Sequence, residues 1–452
     1  MEVEIVSREC VKPSSPTPHH LRTHKISLLD QYVPNTYGAL LLFYPPNHQL
    51  SVLKTLQVLK QSLSETLTLY YPLAGKGKGN LSIDCNDEGA YYVEARVTCH
   101  LSDYLKQPDI SAILKFMPEE ILDDKITPGA HTCMVQVTMF ACGGVAIAIL
   151  TPHILLDGTA LNVFVKTWAR MAIGGGGAYQ SPDFSASVIF PQNNAFPQDL
   201  TSQGLLSELV RKGKPTLRRF VFDGQVISKF KTQATSYGIQ NPTRVEVVSA
   251  FLYNRVMSAL RKEKSGALKS AIVANSVNLR RRASPPFAET CVGNFLSLMG
   301  FILKGEETDL VSFVRKKREA LSRVDGDLVK SFQGDQGLRN YCEDMGKFRE
   351  LNSKAVSDGA EQIFFNSWCN MGMYDADYGW GKPLWVPFLP MVRPFPVSWI
   401  QLMDTRRGSG IEAWLMLDEP VMSVLEHDKL LLSAAASLDP SPLQIGSPKS
   451  SL

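Results

Sequence analysis

Hydrophobic and polar positions alternate along this chain with two periods. Met1 to Cys10 alternates loosely, as a half-exposed strand does. The run KPSSPTP at 12–18 then stops it, because three prolines deny regular pairing. Val52 to Leu69 carries apolar residues at 52, 53, 56, 59, 63 and 67. That 3.6-residue period predicts an amphipathic helix, ended at Tyr71-Pro72. Leu81 to Cys85 and Tyr91 to Val97 flank Asn86-Asp87-Glu88-Gly89 and predict a hairpin. Cys133 to Phe140 and Val145 to Leu150 predict a second strand pair. Its second member is apolar at every position, as a strand buried on both faces is. It runs into Thr151-Pro152-His153, and a helical pattern follows over Thr159 to Met171.

The four glycines from Gly174 open a stretch rich in Ser, Pro, Asn and Gln, which predicts a crossover holding little core. Structure resumes at Arg218 to Phe222. Thr243-x-x-Glu246 is a capping box ahead of the periodic run Val245 to Leu260. Ile363 to Trp368 predicts a strand. Pro394 and Pro396 precede a late hairpin, Val397 to Met403 with Ile411 to Leu417 about the turn Arg406 to Gly410. These shifts divide the chain into a first domain 1–173, a crossover 174–216, a second domain 217–437 and a flexible tail 438–452.

Composition agrees. A chain of 452 residues exceeds one ordinary core, which suggests two domains of roughly 150–250 residues. With 44% hydrophobic and 20% charged residues it is globular rather than disordered. Lys and Arg total 47 against 44 Asp and Glu. A net charge of +3 argues against a nucleic-acid partner. The apolar run 145–150 is far short of the roughly 18 residues a membrane span needs. MEVEIVSREC lacks a signal-peptide core, so a cytoplasmic location is expected. None of the eight cysteines forms C-x-x-C. No metal site is expected, and reduced thiols are.

Two constellations could carry chemistry. His153-Ile-Leu-Leu-Asp157-Gly158 places a proton acceptor suited to neutral pH between a buried strand and a helix. Asp157 can fix its tautomer or hold the loop through an Arg. It is not H-E-x-x-H, so a zincin is excluded. In Asp377-Tyr378-Gly379-Trp380-Gly381 two glycines permit a tight turn against another surface. Asp377 would need a partner if buried, and Arg280-Arg281-Arg282 is the evident supplier. There is no G-x-S-x-G elbow, no Walker A and no G-x-G-x-x-G after a strand, hence no nucleotide cradle and no clear nucleophile.

HILLDG at 153–158 with DYGWG at 377–381 resembles the paired hallmarks of the plant BAHD acyltransferases, in the same order and at similar separation. KISLLDQ at 25–31, YYPLAG at 70–75, VNLR at 277–280 and GIEAW at 410–414 extend the resemblance over nearly the whole chain. DCNDEG at 84–89, SWC at 367–369 and MDTR at 403–406 resemble the alkaloid-acetylating branch that includes vinorine synthase. The resemblance implies an α/β fold of two chloramphenicol acetyltransferase-like domains. Each is a mixed sheet with flanking helices, and an active-site channel runs between them.

It further implies acyl transfer, with acetyl expected, from acyl-CoA to a hydroxyl of a specialised metabolite, with an alkaloid expected. His153 would be the general base, and no acyl-enzyme or permanently bound cofactor is needed. Asn366 and Trp368, in the stretch before the glycine motif, are the candidate oxyanion donors. Asp157, Gly158, Tyr378, Gly379, Trp380 and Gly381 would be structural, as would Asp377 paired with Arg280 or Arg282. CoA would meet the helix that begins at Thr243, near Thr243 and Ser249. A monomer is expected. N-acylation, malonyl or benzoyl donors, and a hydrolase in which His153 activates water remain open alternatives.

Overall fold

The run that reads as apolar at every position forms a strand buried along its whole length. The structure is a computed structural model, and it describes all residues except 80, 111, 119–126, 175–180, 206–213, 265–269, 390–397, 436–437 and 444–452. In the first half the strands are β1 (Glu4–Val11), β2 (Thr23–Lys25), β3 (Tyr37–Tyr44), β4 (Lys76–Gly77), β5 (Ser82–Asp84), β6 (Ala90–Val97), β7 (Met134–Phe140) and β8 (Val145–Pro152). Five of them form a mixed sheet in the order β1-β6-β7-β8-β3. All eight residues of β8 are buried; its neighbours β7 and β3 pair along both edges, and the 3-10 turn Ile113–Phe116 lies against it.

Helix Val52–Leu69 starts at Ser51, whose hydroxyl caps Lys54 N, and buries Leu59, Leu63 and Leu67. It lies against helix Gly158–Ala172, where the Trp168 indole donates to Leu59 O at 3.1 Å and Ser62 Oγ at 3.0 Å. The first helix therefore packs on the element that follows the His motif.

The second half carries β9 (Pro215–Phe222), β10 (Ser270–Asn278), β11 (Leu296–Lys304), β12 (Glu361–Ser367), β13 (Trp399–Asp404) and β14 (Ile411–Asp418). They form a mixed sheet in the order β11-β10-β12-β13-β14-β9, with β10, β12 and β13 parallel. Helix Arg244–Glu263 begins with the capping box expected from the sequence. The hairpin β13–β14 also forms as expected.

Three expectations are corrected. Residues 81–97 are not a hairpin: β5 pairs with β2 and β4, whereas β6 pairs with β1 and β7. Asp87 at φ 59° accepts from Thr17 N and Oγ at 3.0 and 2.5 Å. A Cβ on Gly89 would sit 2.5 Å from Val11 O. The turn is thus pressed onto the end of β1 instead of folding its flanking strands together.

The crossover is not empty of core. Phe190, Phe196, Leu200 and Leu205 are buried. Phe190 O accepts from Leu28 N at 2.8 Å, and Asp183 pairs through its backbone with Thr290 and Val292. The segment stitches residues near 28 to residues near 291. The four-glycine run lies almost wholly outside the described residues, as do Pro394 and Pro396.

The chain end is the third. Residues 438–443 dock rather than fray. Asp439 exchanges hydrogen bonds with the Arg219 backbone, the buried Arg219 guanidinium donates to Pro440 O, and Ser441 Oγ donates to Leu105 O at 2.7 Å. The segment is held because Arg219, 1% exposed, needs acceptors that Glu412 alone does not supply. Truncation after Leu438 should lower stability by about 1–3 kcal/mol through the stranded guanidinium donors. A thermal melt of the shortened chain checks this, and an unchanged midpoint would return the segment to a loose tail.

Candidate active site

His153 follows the last residue of β8, and its backbone N–H donates to Thr36 O at 2.8 Å. The ring is half-buried, with Nδ1 3.1 Å from Asn294 Oδ1. The second hydrogen bond of Asn294 to this residue runs from Nδ2 to His153 O at 2.7 Å. Asp157, four residues on, turns away from the imidazole. Its carboxylate caps helix Gly158–Ala172 through Ala160 N at 2.9 Å, accepts from Phe295 N at 3.1 Å, and meets Arg280 Nη1 at 2.5 Å. Both members of this ion pair are 1–2% exposed. Arg280 also donates to Cys291 O and Gly293 O, at 2.9 and 3.1 Å, and lies over the Phe295 ring.

The expected partnership of Asp377 with Arg280 or Arg282 is therefore corrected. Arg280 is taken by Asp157. Arg282 donates to Leu321 O and Val324 O. Asp377 is only half-buried and is satisfied within its own turn, accepting from Gly379 N at 2.8 Å and Gly381 N at 2.9 Å, so it needs no cation. Both glycines have positive φ, 101° and 117°. The turn acts as a brace. Tyr378 meets Trp168 and Tyr44 edge-on with ring centres 5.3 and 5.4 Å apart, and it stacks on Trp380 at 5.6 Å. The Tyr378 hydroxyl is buried without a hydrogen-bond partner among the described residues.

Two cavities meet at the C-terminal ends of β10 and β12. One, of about 260 Å³, is lined by His153 with Leu40, Leu161, Trp368, Met371 and Phe388. The other, of about 580 Å³, is lined by Ser249, Arg281, Arg282, Lys317 and Asp325. Ser276, Asn278, Asn366 and Ser367 belong to both walls. Carboxyl ends of parallel strands are a common place for ligands, because loops there diverge around a rigid floor.

The site residues expected from the sequence divide accordingly. Asn366 stands on the shared wall and commits one N–H to Gln401 Oε1 at 2.9 Å, which leaves the other for a ligand. The Trp368 indole faces the His153 cavity, and a Cβ on Gly158 would come within 3.3 Å of its Nε1. Gly158 thus keeps space for that ring. Ser249 lines the larger cavity, its Oγ without a hydrogen-bond partner among the described residues. Thr243 lines neither cavity, and its side chain is spent on the capping box with Glu246. The motif 377–381 also lies off both walls.

Sequence reasoning missed Asn294, Asp30, Lys317 and the pair Ser276 and Asn278. No local spacing marks them, since each comes to the site from a separate element. Lys317 is 8% exposed with its ammonium over the Phe313 ring. Burial pushes its pKa down to about 8, against the opposing pull of Glu246 and Cys369. Asp30 is pushed up to about 6 by burial, while hydrogen bonds from Asn294 and Ser27 hold it down.

Residues 1–432 match the sequence profile of the Transferase family. The chain belongs to the BAHD acyltransferase family. The epi-neemfruitin B 7-O-acetyltransferase of Melia azedarach is 43% identical, over 98% of this chain and 100% of that protein. The limonoid 7-O-acetyltransferase of Citrus sinensis is likewise 43% identical with the same coverage. The crystal structure of vinorine synthase superimposes with a TM-score of 0.78 at 31% identity, over 97% of this chain and 99% of the other. This BAHD protein is therefore an acyl-CoA-dependent acyltransferase with the two-domain fold that its sequence resembles. Among the described residues no helix is long and apolar enough to cross a membrane.

Asp157→Ala in this BAHD enzyme would leave Arg280 buried and unpaired, and should cost about 3–5 kcal/mol. Asp377→Ala removes only a turn acceptor and should cost about 1 kcal/mol. Denaturant unfolding of both variants checks the order. Equal losses would show that the second motif carries as much of the fold as the first.

Proposed function

We propose that this protein transfers an acetyl group from acetyl-CoA to a hydroxyl of a neutral, polycyclic specialised metabolite of terpenoid type. The observation that carries the reading is His153 on the wall of an apolar cavity that opens into a second, basic one. Nδ1 of His153 is engaged by Asn294, so Nε2 is the nitrogen left for the acceptor. It takes the hydroxyl proton as the oxygen attacks the thioester carbonyl. A C–O bond forms, the tetrahedral oxyanion takes hydrogen bonds from Asn366 Nδ2 or Trp368 Nε1, and the C–S bond then breaks. The imidazolium returns its proton to the departing CoA thiolate. Each proton is accounted for without an acyl-enzyme.

CoA enters through the cavity of Lys317, Arg282 and Ser249, whose positive charge suits its phosphates. The acceptor enters from the other side. Among the described residues, Asp157 is the carboxylate on that wall, and it is already spent on Arg280. A protonated amine buried there would lack a counter-charge. A neutral alcohol would not, and two relatives at 43% identity are named for limonoid-type acceptors. The alkaloid reading rests on the DCNDEG, SWC and MDTR runs and on the likeness to vinorine synthase. We take domains 1–173 and 217–437 to work as a cytoplasmic monomer, with the channel between them.

Incubation with acetyl-CoA and a panel of limonoid alcohols and hydroxylated indole alkaloids, read by mass spectrometry, tests the acceptor class. Acetylation of alkaloids alone would overturn the neutral acceptor. Product CoA released at the full rate without any acceptor would favour a hydrolase instead. His153→Ala should lower kcat by about 10²–10⁴-fold while leaving the melting profile intact. Near-normal turnover would remove His153 from the role of base.

Lys317→Met should raise KM for acetyl-CoA several-fold. It should also stabilise the protein near pH 7. The folded-state pKa of Lys317 is depressed, so its charged form opposes folding below about pH 8. That cost fades as pH rises toward the free-lysine value, so the advantage of the variant should shrink between pH 8 and 10. A pH series of melting midpoints reads the sign. An advantage that grew with pH would contradict it.

A further inference from the structure

The aspartate of the His motif does not touch the imidazole, yet the imidazole is not left to choose its own tautomer. Asn294 is fully buried and reaches His153 from the segment before β11. Its Nδ2 donates to His153 O at 2.7 Å and to Asp30 Oδ1 at 2.8 Å. Both acceptors lack a proton to give, so the amide cannot be turned round without setting oxygen against oxygen. Oδ1 is thereby obliged to face His153 Nδ1, at 3.1 Å. An amide oxygen only accepts, so Nδ1 must carry the proton and Nε2 the lone pair.

Asp30 is itself fixed. Its Oδ1 accepts from Asn294 N at 2.7 Å, and its Oδ2 accepts from Ser27 N and Ser27 Oγ, each at 2.7 Å. Every contact is a donor, which suits an ionised carboxylate. Gly293 at φ 129° allows the approach, since a Cβ there would lie 3.3 Å from Asp30 Oδ1.

We propose that Asp30 and Asn294 form a relay that holds His153 in the Nδ1–H tautomer and supports the imidazolium that forms during transfer. The carboxylate of a Ser-His-Asp triad contacts its histidine directly. Here a neutral amide makes that contact, and the charge stands one residue behind it, where it polarises the amide through a hydrogen bond. Neither residue lines either of the two cavities, so both are positioning residues. The proposal rests on His153 as the base, but the tautomer itself does not.

The test begins with unliganded wild-type protein labelled with ¹⁵N-histidine, the His153 resonances being assigned by their loss in His153→Gln. The relay requires Nδ1–H and an unprotonated Nε2 at neutral pH. A predominant Nε2–H tautomer would overturn it, whatever His153 does in catalysis. Asn294→Ala should then scramble the tautomer and lower kcat by about 10²-fold, leaving KM for both substrates within about threefold. A kcat within threefold of wild type would also overturn the proposal.

Should Asn294→Ala fail to fold, Asp30→Asn serves. Its amide must turn an NH₂ toward Ser27 or Asn294, both donors, and the same split of kcat from KM is expected. A purely packing role would lower the folded fraction and leave kcat per folded molecule and the tautomer untouched. His153→Ala with normal turnover would instead defeat the base assignment while the measured tautomer still reported on the relay.

Discussion

The Asp157–Arg280 ion pair is the interaction on which the rest of this site depends. A single carboxylate starts helix Gly158–Ala172, receives the Phe295 amide and neutralises a guanidinium that also grips Cys291 O and Gly293 O. Residues 157 and 280 belong to the two different halves of the chain. Removing either charge would strand the other in a dry interior, a cost far above any surface pair. The pair also frees His153 from its own motif. With Asp157 committed, orientation of the imidazole passes to Asn294, which is carried into place by the same segment that Arg280 anchors.

Around this pair the halves are joined by several modest contacts. The edge of β3 does not end in solvent, because Phe43 N donates to Trp385 O at 2.9 Å and Leu384 N returns the bond to Phe43 O at 2.6 Å. An exposed sheet edge is thereby covered by the other half of the chain. Trp385 lies near the Arg219 guanidinium, which is paired with Glu412 and bonded to Pro440 O. The Tyr378 turn wedges against Tyr44 and Trp168, and Tyr44 donates to Ala376 O at 3.0 Å. The second sequence motif thus shapes the frame that carries the first. This explains how two short runs more than 200 residues apart can share a role without touching the reacting atoms together.

The two cavities differ in kind, and the difference follows from their walls. Methionines and aromatic rings line the space beside His153, whereas the far side offers Arg281, Arg282 and the buried Lys317. A channel that is apolar at one end and basic at the other suits a greasy alcohol and a phosphorylated thioester meeting in the middle. The polar groups at the meeting point, Ser276, Asn278, Asn366 and Ser367, come from neighbouring parallel strands whose spacing the sheet sets.

Local sequence determined the elements whose periodicity is strong. The helix from Val52, the apolar run 145–150 of β8, the Thr243 capping box and the late hairpin are each encoded within about twenty consecutive residues, because propensity and burial pattern act over that range. His153 was legible as a candidate base from its place between β8 and a helix, and the paired motifs marked the family. Partnerships were not legible. Arg280 sits within an arginine triplet that reads as one basic cluster, yet one member is buried against Asp157, one pairs with exposed Glu289 and one caps carbonyls near 321–324. Asp87 reads as a turn residue, but its contact with Thr17 decides which strands that turn joins. Asn294 carries no signature, and Asp30, although inside the KISLLDQ run, is not marked there as a partner of the site. Such pairings depend on which buried donor meets which buried acceptor once the sheets have packed, and desolvation makes that choice only in three dimensions.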